Sequence, residues 1–309
     1  MPASPTCPRC GYDQSGVIAT WGNATACPLE GTCSECGLSI LWRDLLNPQW
    51  TVPRWSFEHR AGWWQVGAHL RTCWAALRPW SFWTRMNLHF PIVRSRLLRH
   101  AAAMLLACHL AFAVAAAYQC WSPGLVYALW VAAGLPPRLL DTRWLAIDAF
   151  LWPYHPVSIL SSPIPMGRPP SLPDHAAWFA MWVLLTPFAF VVLTETFRRK
   201  RLRVAHLLRG FAYSLTPLPI WTVLWVTLIS LYEYGANSGR FFDDAFDRSA
   251  HTLFFAAVAS HVVSCWWFVR RYLRVPHAEA VTVAMTVIAG LAAGILVVLW
   301  RIAEMTLAM

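Results

Sequence analysis

The chain has 309 residues, 57% of them hydrophobic, and a mean hydropathy of +0.43. That balance excludes an ordinary soluble globule. Its 25 basic residues against 15 acidic ones give a net charge of +10, and Lys200 is the only lysine among the arginines. The opening Met1-Pro-Ala-Ser-Pro5 has neither a basic n-region nor an apolar h-region, so no cleaved signal peptide is expected.

The first feature along the chain is a pair of like motifs, Cys7-Pro-Arg-Cys10-Gly11 and Cys33-Ser-Glu-Cys36-Gly37. Four thiolates in two C-x-x-C pairs close a tetrahedral shell around Zn²⁺, and the glycine after each pair allows the tight turn that aims backbone amides at sulfur. Residues 1–46 therefore read as a small β zinc ribbon with metal ligands Cys7, Cys10, Cys33 and Cys36. A complete thiolate shell leaves no open coordination position, so the metal is expected to be structural. Cys27 lies six residues before Cys33, either as a substitute ligand or packed beside the site. Around the cysteines, Arg9 and Arg43 face Asp13, Glu30, Glu35 and Asp44. Nucleic-acid ribbons need a basic face, so this acidic balance argues for a protein partner and against DNA or RNA. Cys108, Cys120 and Cys265 sit in apolar segments, which fits reduced thiols better than disulfides.

Residues 47–99 interleave Trp50, Trp55, Trp63, Trp64, Trp74, Trp80 and Trp83 with Arg54, Arg60, Arg71, Arg78 and Arg85. Such a mixture suits the headgroup layer, so short amphipathic helices broken at Pro79 are expected there. Residues 100–309 read as the membrane domain. Five segments approach the roughly 20 apolar residues that span a bilayer: Ala101–Trp121, Ala176–Phe197, Phe211–Tyr232, Ala250–Val269 and Ala278–Trp300. Leu125–Leu135 is short and ends at Pro136-Pro137, as a re-entrant or interfacial piece would. With the N-terminus inside, nineteen of the 25 basic residues fall on inner segments and six outside. The positive-inside rule thus favours five spans with the C-terminus outside. The outer loop 136–175 is rich in proline and is expected to be extended and irregular apart from a short amphipathic helix at Asp141–Trp152.

Several groups in the membrane domain invite a functional reading. His109 and His261 lie deep in spans one and four, as a proton or metal relay or as single interhelical hydrogen-bond donors. Glu195 and Arg209 flank one basic inner loop and suggest an interfacial ion pair. On the outer side, Asp243, Asp244, Asp247 and His251 cluster before span four, and Asp174-His175 precedes span two; helix-start charges account for both more simply than a site. Gly290 and Gly294 form a G-x-x-x-G pair suited to close helix contact or a homo-oligomer. No hydrolase, metalloprotease, P-loop or dinucleotide fingerprint occurs.

The stretch Arg203-Val-Ala-His-Leu-Leu-Arg-Gly-Phe-Ala-Tyr-Ser-Leu-Thr-Pro217-Leu-Pro219 resembles the Yip family of five-span membrane proteins. There a basic helical lead-in precedes an A-Y-S-x-x-P stretch, matched here by Ala212, Tyr213, Ser214 and Pro217. The resemblance covers roughly residues 80–300. It implies five spans, a cytosolic N-terminus and action through membrane partners, and it carries no catalytic residues. The outer loop is longer and richer in proline than that family leads one to expect. The cysteine segments Cys7–Asp13 and Cys27–Leu38 are similar to the N-terminal zinc ribbon of uncharacterised bacterial membrane proteins, a pattern that includes Cys27.

The expectation is therefore a mainly α, polytopic helical membrane protein of the bacterial cytoplasmic membrane, not an enzyme, preceded by a zinc ribbon that docks a protein partner or another part of its own chain. The alternatives are a small-solute or ion transporter or channel using His109 and His261, and a membrane enzyme with an outer-face Asp/His site.

Overall fold

A computed structural model describes residues 5–22, 28–47, 52–53, 55–60, 65–121, 174–192, 201–235 and 240–307. The described chain is mainly helical with one small two-stranded sheet. Cys27, the segment Leu125–Leu135, the outer loop up to residue 173 and Glu195 lie outside the described residues.

The N-terminal segment is short on regular structure. Strands β1 (Glu30–Thr32) and β2 (Ser39–Leu41) pair antiparallel, with Gly31 opposite Ile40. Helices α1 (Ser15–Ala19) and α2 (Trp42–Leu46) flank them. Among its described residues, Cys7, Cys33, Leu38, Ile40 and Trp42 are the buried apolar side chains. That is a small core for about 40 residues, and segments this small ordinarily need a metal or disulfides. Gly31 is dictated by packing: a Cβ there would stand 2.6 Å from the Trp42 indole nitrogen.

Next come α3 (Gln65–Ala76) and α4 (Pro79–Arg85), divided at Pro79, which occupies the first turn of α4, where its missing N–H costs nothing. Their aromatic residues split between two environments. Phe82 and Trp83 are buried in the protein, whereas Trp74 and Trp80 are exposed. Arg78 lies over the Trp74 ring, 5.4 Å from its centroid.

The long helices are α5 (Arg94–Trp121), α6 (Asp174–Val192), α7 (Val204–Ser214), α8 (Leu218–Gly235), α9 (Arg240–Trp267, continued by a π-helical turn at Phe268–Tyr272) and α10 (Ala278–Leu307). Four stretches among the described residues are long and apolar enough to cross a membrane: Arg94–Val114, Val204–Leu228, Arg248–Tyr272 and Ala278–Ala303. They correspond to expected spans one, three, four and five. The first begins seven residues before its expected start, because Arg94, Arg96 and Arg99 enter the helix rather than ending before it. Expected span two falls on α6, whose described apolar part, Trp178–Phe190, is short of a crossing length, and residues 193–200 lie outside the description. The span that carries the A-Y-S-x-x-P stretch is interrupted: α7 ends at Ser214 and α8 starts at Leu218, as Pro217 requires.

The chain divides into two compact units, one of residues 1–101, 181–216 and 260–309 and one of residues 102–180 and 217–259. In the second unit, Phe254 meets Trp178 and Phe179 at ring-centroid distances of 6.0 and 6.4 Å. In the first, Thr282, Met285, Ala289 and Ala293 form the buried face of α10, while Val283, Val287, Leu291 and Ile295 point outward. An apolar exposed face on a helix of this length suggests lipid as its surroundings.

Candidate metal centre and its docking face

The two cysteine knuckles adopt the same local structure, as their like sequences require. In the first, the Cys7 amide donates to Tyr12 O (2.7 Å) and the Gly11 amide to Cys7 O (2.9 Å). In the second, the Cys33 amide donates to Leu38 O and the Gly37 amide to Cys33 O, both at 2.9 Å. Gly11 and Gly37 hold φ of 82° and 65°, a region that disfavours residues with a Cβ. The turns point Cys7 and Cys10 at Cys33 and Cys36. Cys7 Sγ lies 3.7 Å from Cys36 Sγ, and Cys10 Sγ 3.7 Å from Cys33 Sγ, with all four sulfurs within 4.8 Å of one another. A tetrahedral ion with metal–sulfur bonds of about 2.3 Å separates its sulfurs by about 3.8 Å, so the donor set fits such an ion. Without one, burial holds the Cys7 thiol far above its ordinary range and pushes Cys36 up to about 11. Gln14, fully buried, donates from Nε2 to Cys33 Sγ at 3.4 Å, which orients a ligand from the outer shell.

The loop between Cys7 and Cys10 is pinned to the helix ends of the same unit. Pro8 O accepts from His206 Nε2 (2.7 Å), Arg9 O accepts from the Arg203 amide (3.1 Å), and Arg9 Nη2 donates to Leu273 O (3.1 Å). Arg201 pairs with Glu35 in the second knuckle. Arg9 is only 6% exposed, and burial pulls its guanidinium below the usual range. Leu273 caps the π-helical turn that ends α9, where the last carbonyls have no amide one turn on to accept from. Arg274 then takes a left-handed conformation (φ 52°), an irregularity the sequence does not announce.

Beneath this contact lies a hydrogen-bonded chain with every direction fixed. A carbonyl only accepts, so His206 carries its proton on Nε2 and its Nδ1 accepts from Tyr272 OH (2.8 Å). The Tyr272 oxygen in turn accepts from Arg209 Nη1 (2.8 Å). Arg209 grips Glu58 in a bidentate pair, Nε to Oε2 at 2.9 Å and Nη2 to Oε1 at 2.7 Å, with both side chains wholly buried. Its remaining donors reach Phe90 O (3.3 Å) and Pro91 O (2.9 Å). Glu58 also accepts from the Val93 amide (3.0 Å) and Tyr213 OH (3.4 Å). A buried ion pair is tolerable only with this degree of satisfaction. Gly210 lets α7 approach the π-helical turn: a Cβ there would lie 2.5 Å from Phe268 Cζ.

This corrects one expectation. Arg209 is wholly buried and paired with Glu58 rather than interfacial, because the 3₁₀ turn Phe57–His59 delivers a carboxylate into the first unit; Glu195 lies outside the described residues. One signal was available in the sequence: Glu58 is the only acidic residue between Asp44 and Asp141. Tyr213 and Ala212 of the A-Y-S-x-x-P stretch are buried at this centre. His261 belongs to a local set in which its Nε2 meets Thr186 Oγ1 (3.1 Å) and Cys265 Sγ (3.6 Å) and its ring meets the edge of Trp182 (centroids 5.0 Å apart). His109 lies in α5, in the second unit. Asp174 and His175 open α6, while Asp243, Asp244 and Asp247 fall in the first turns of α9 with side chains outside the description; His251 is exposed. Gly290 and Gly294 are partly exposed on α10.

Comparison with protein-family models, with curated proteins and with solved structures finds no match to this chain.

Proposed function

We propose that this chain is a non-enzymatic integral membrane protein whose N-terminal cysteine module holds a structural Zn²⁺ as a zinc ribbon and serves as a docking element, in a Yip-like role in membrane organisation or trafficking. The observation that carries the reading is the contact of the first knuckle with its own chain: the carbonyls of Pro8 and Arg9, the two residues between the paired cysteines, meet His206 and Arg203. A metal that shapes the knuckle thereby shapes the surface formed with the ends of α7 and α9. Four sulfurs at tetrahedral spacing support a closed, non-catalytic site. The face of the module turned away from the helices is where a protein partner binds. Reduced thiols and the arginine-rich inner segments favour a cytosolic N-terminus and, in a bacterium, the cytoplasmic membrane. Counting Ala176–Phe197 as a span puts the C-terminus outside.

The test is metal analysis of the detergent-purified protein with crosslinking pull-down, wild type against Cys33→Ser. The reading expects bound zinc and a partner set in the wild type, with both reduced in the variant. Unchanged partners on a metal-free module contradict docking through the ribbon.

A further inference from the structure

Outside the cysteine module, a second group of metal-ligating side chains converges. His69 and Cys73 stand four residues apart on α3, which puts them on one helix face. His100, in the second turn of α5 and wholly buried, joins them from another helix. One donor atom from each of the three lies within 4.8 Å of the others, and the two imidazole centroids are 4.8 Å apart.

The hydrogen bonding of His100 distinguishes this group from a chance packing of polar side chains. Its Nε2 lies 3.1 Å from Thr216 Oγ1, while its Nδ1 is buried with no hydrogen-bond partner among the described residues. If Thr216 donated to Nε2, Nδ1 would carry a buried N–H with no acceptor, a costly arrangement. The cheaper tautomer has Nε2–H donating to Thr216, which leaves a bare lone pair on Nδ1. A metal-ligating histidine shows the same pattern: one ring nitrogen on the ion and the other donating to an oxygen. The Thr216 hydroxyl is held there because helix α7 stops at Ser214, ahead of Pro217. His69 and Cys73 are partly exposed, which gives an ion a path in.

We propose that His69, Cys73 and His100 form a second transition-metal site, suited above all to Zn²⁺. Two imidazoles and one thiolate are borderline ligands that favour zinc over the hard cations. With bonds of about 2.0–2.3 Å, neighbouring ligand atoms stand about 3.3–3.6 Å apart, so from the present spacing, within 4.8 Å, a contraction of at most about 1.5 Å closes the site. Three protein ligands leave a four-coordinate ion one exchangeable position, in contrast to the closed four-cysteine shell. The ion also ties α3 to α5, two helices that no strand or disulfide joins among the described residues.

The experiment is equilibrium dialysis of the full chain in detergent against Zn²⁺, followed by metal counting, for wild type, Cys73→Ser and His69→Ala/Cys73→Ser. The proposal expects the wild type to hold one more zinc per chain than either variant, whatever the four-cysteine module holds. Cobalt substitution expects a thiolate-to-metal absorption component that disappears with Cys73→Ser. Cys73 is partly exposed, so the serine variant keeps its fold, and an unchanged unfolding profile without metal verifies this. Equal zinc counts in wild type and variants, or a cobalt spectrum indifferent to Cys73, overturn the site. Loss of the extra zinc from a variant that has unfolded is resolved by His69→Gln at the other partly exposed position, which must lose the same single ion with its metal-free unfolding profile unchanged if the proposal holds.

Discussion

Replacing Glu58 by glutamine keeps the size of the side chain but removes its charge and half its accepting capacity. In the wild type its two oxygens accept from Arg209 Nη2 at 2.7 Å, Arg209 Nε at 2.9 Å, the Val93 amide at 3.0 Å and Tyr213 OH at 3.4 Å. With Oε1 still serving Val93 and Nη2, the new NH₂ group takes the place of Oε2 and points donors at Arg209 Nε–H. Arg209, with no exposed surface, is then a buried cation without a counter-charge. Breaking a buried pair from one side costs about 3–5 kcal/mol. At about 2–4 °C per kcal/mol for a domain of 150–250 residues, the midpoint should fall by roughly 6–20 °C. Thermal unfolding in detergent, followed by tryptophan fluorescence, measures it. The control is Glu279→Gln, which breaks the Arg270–Glu279 pair, 3.3 Å apart with side chains 47% and 67% exposed. Exposed pairs contribute only about 0–1 kcal/mol, so its midpoint should move by at most a few degrees. A Glu58→Gln midpoint as close to wild type as the Glu279→Gln one would refute the buried-pair reasoning.

Three further outcomes follow from single contacts. Gly210→Ala drives a methyl into the Phe268 ring; overpacking of this kind costs about 1–3 kcal/mol, and the same melting assay should show a lowered midpoint. Gly31→Ala meets Trp42 at the centre of the cysteine module, so zinc retention during dialysis against a weak chelator should fall, while the Glu58-dependent melting of the helical part is largely kept. His59, which donates from Nε2 to Pro91 O (2.8 Å), is held by burial below its ordinary value of about 6.5. The unfolded chain therefore takes up a proton first as pH falls, and stability is greatest above about pH 6.5 and declines below it. Melting at pH 7.5 and 5.5 should show this decline, and His59→Gln should reduce it without abolishing it, since burial lowers His69 and His89 as well.

Parts of this arrangement were legible in the sequence and parts were not, for physical reasons. The cysteine pairs declare themselves because metal geometry fixes both spacing and the following glycine. Four of the five apolar stretches emerge as helices of crossing length because composition alone decides that property. Pro79 and Pro217 mark real helix boundaries, since a missing N–H acts locally. Long-range pairings carried no such local mark. Glu58 and Arg209 are 151 residues apart, and nothing in the spacing of either chooses the other. His69, Cys73 and His100 look like isolated residues in an aromatic and basic region until α3 and α5 bring them together. The π-helical turn at Phe268–Tyr272, just before the Leu273 carbonyl that Arg9 reaches, has no sequence signature comparable to a proline. Among the described tryptophans of residues 47–99, Trp83 is interior and Trp74 and Trp80 are at the surface, because composition reports that a side chain is amphipathic and leaves the choice of neighbour to the fold.

The claim that metal shapes the contact between knuckle and helix ends rests on one amide in particular: Arg203 N–H, which donates to Arg9 O. Hydrogen exchange of the peptide containing Arg203, followed in detergent with zinc bound and after chelation, tests it most directly. The account predicts slow exchange with metal and a marked acceleration once zinc is stripped, together with faster exchange at Leu273 and Val275, whose amides bond back to Phe268 and Val269 beside the same contact. Loss of protection confined to residues 5–46, with Arg203 unchanged, would contradict it.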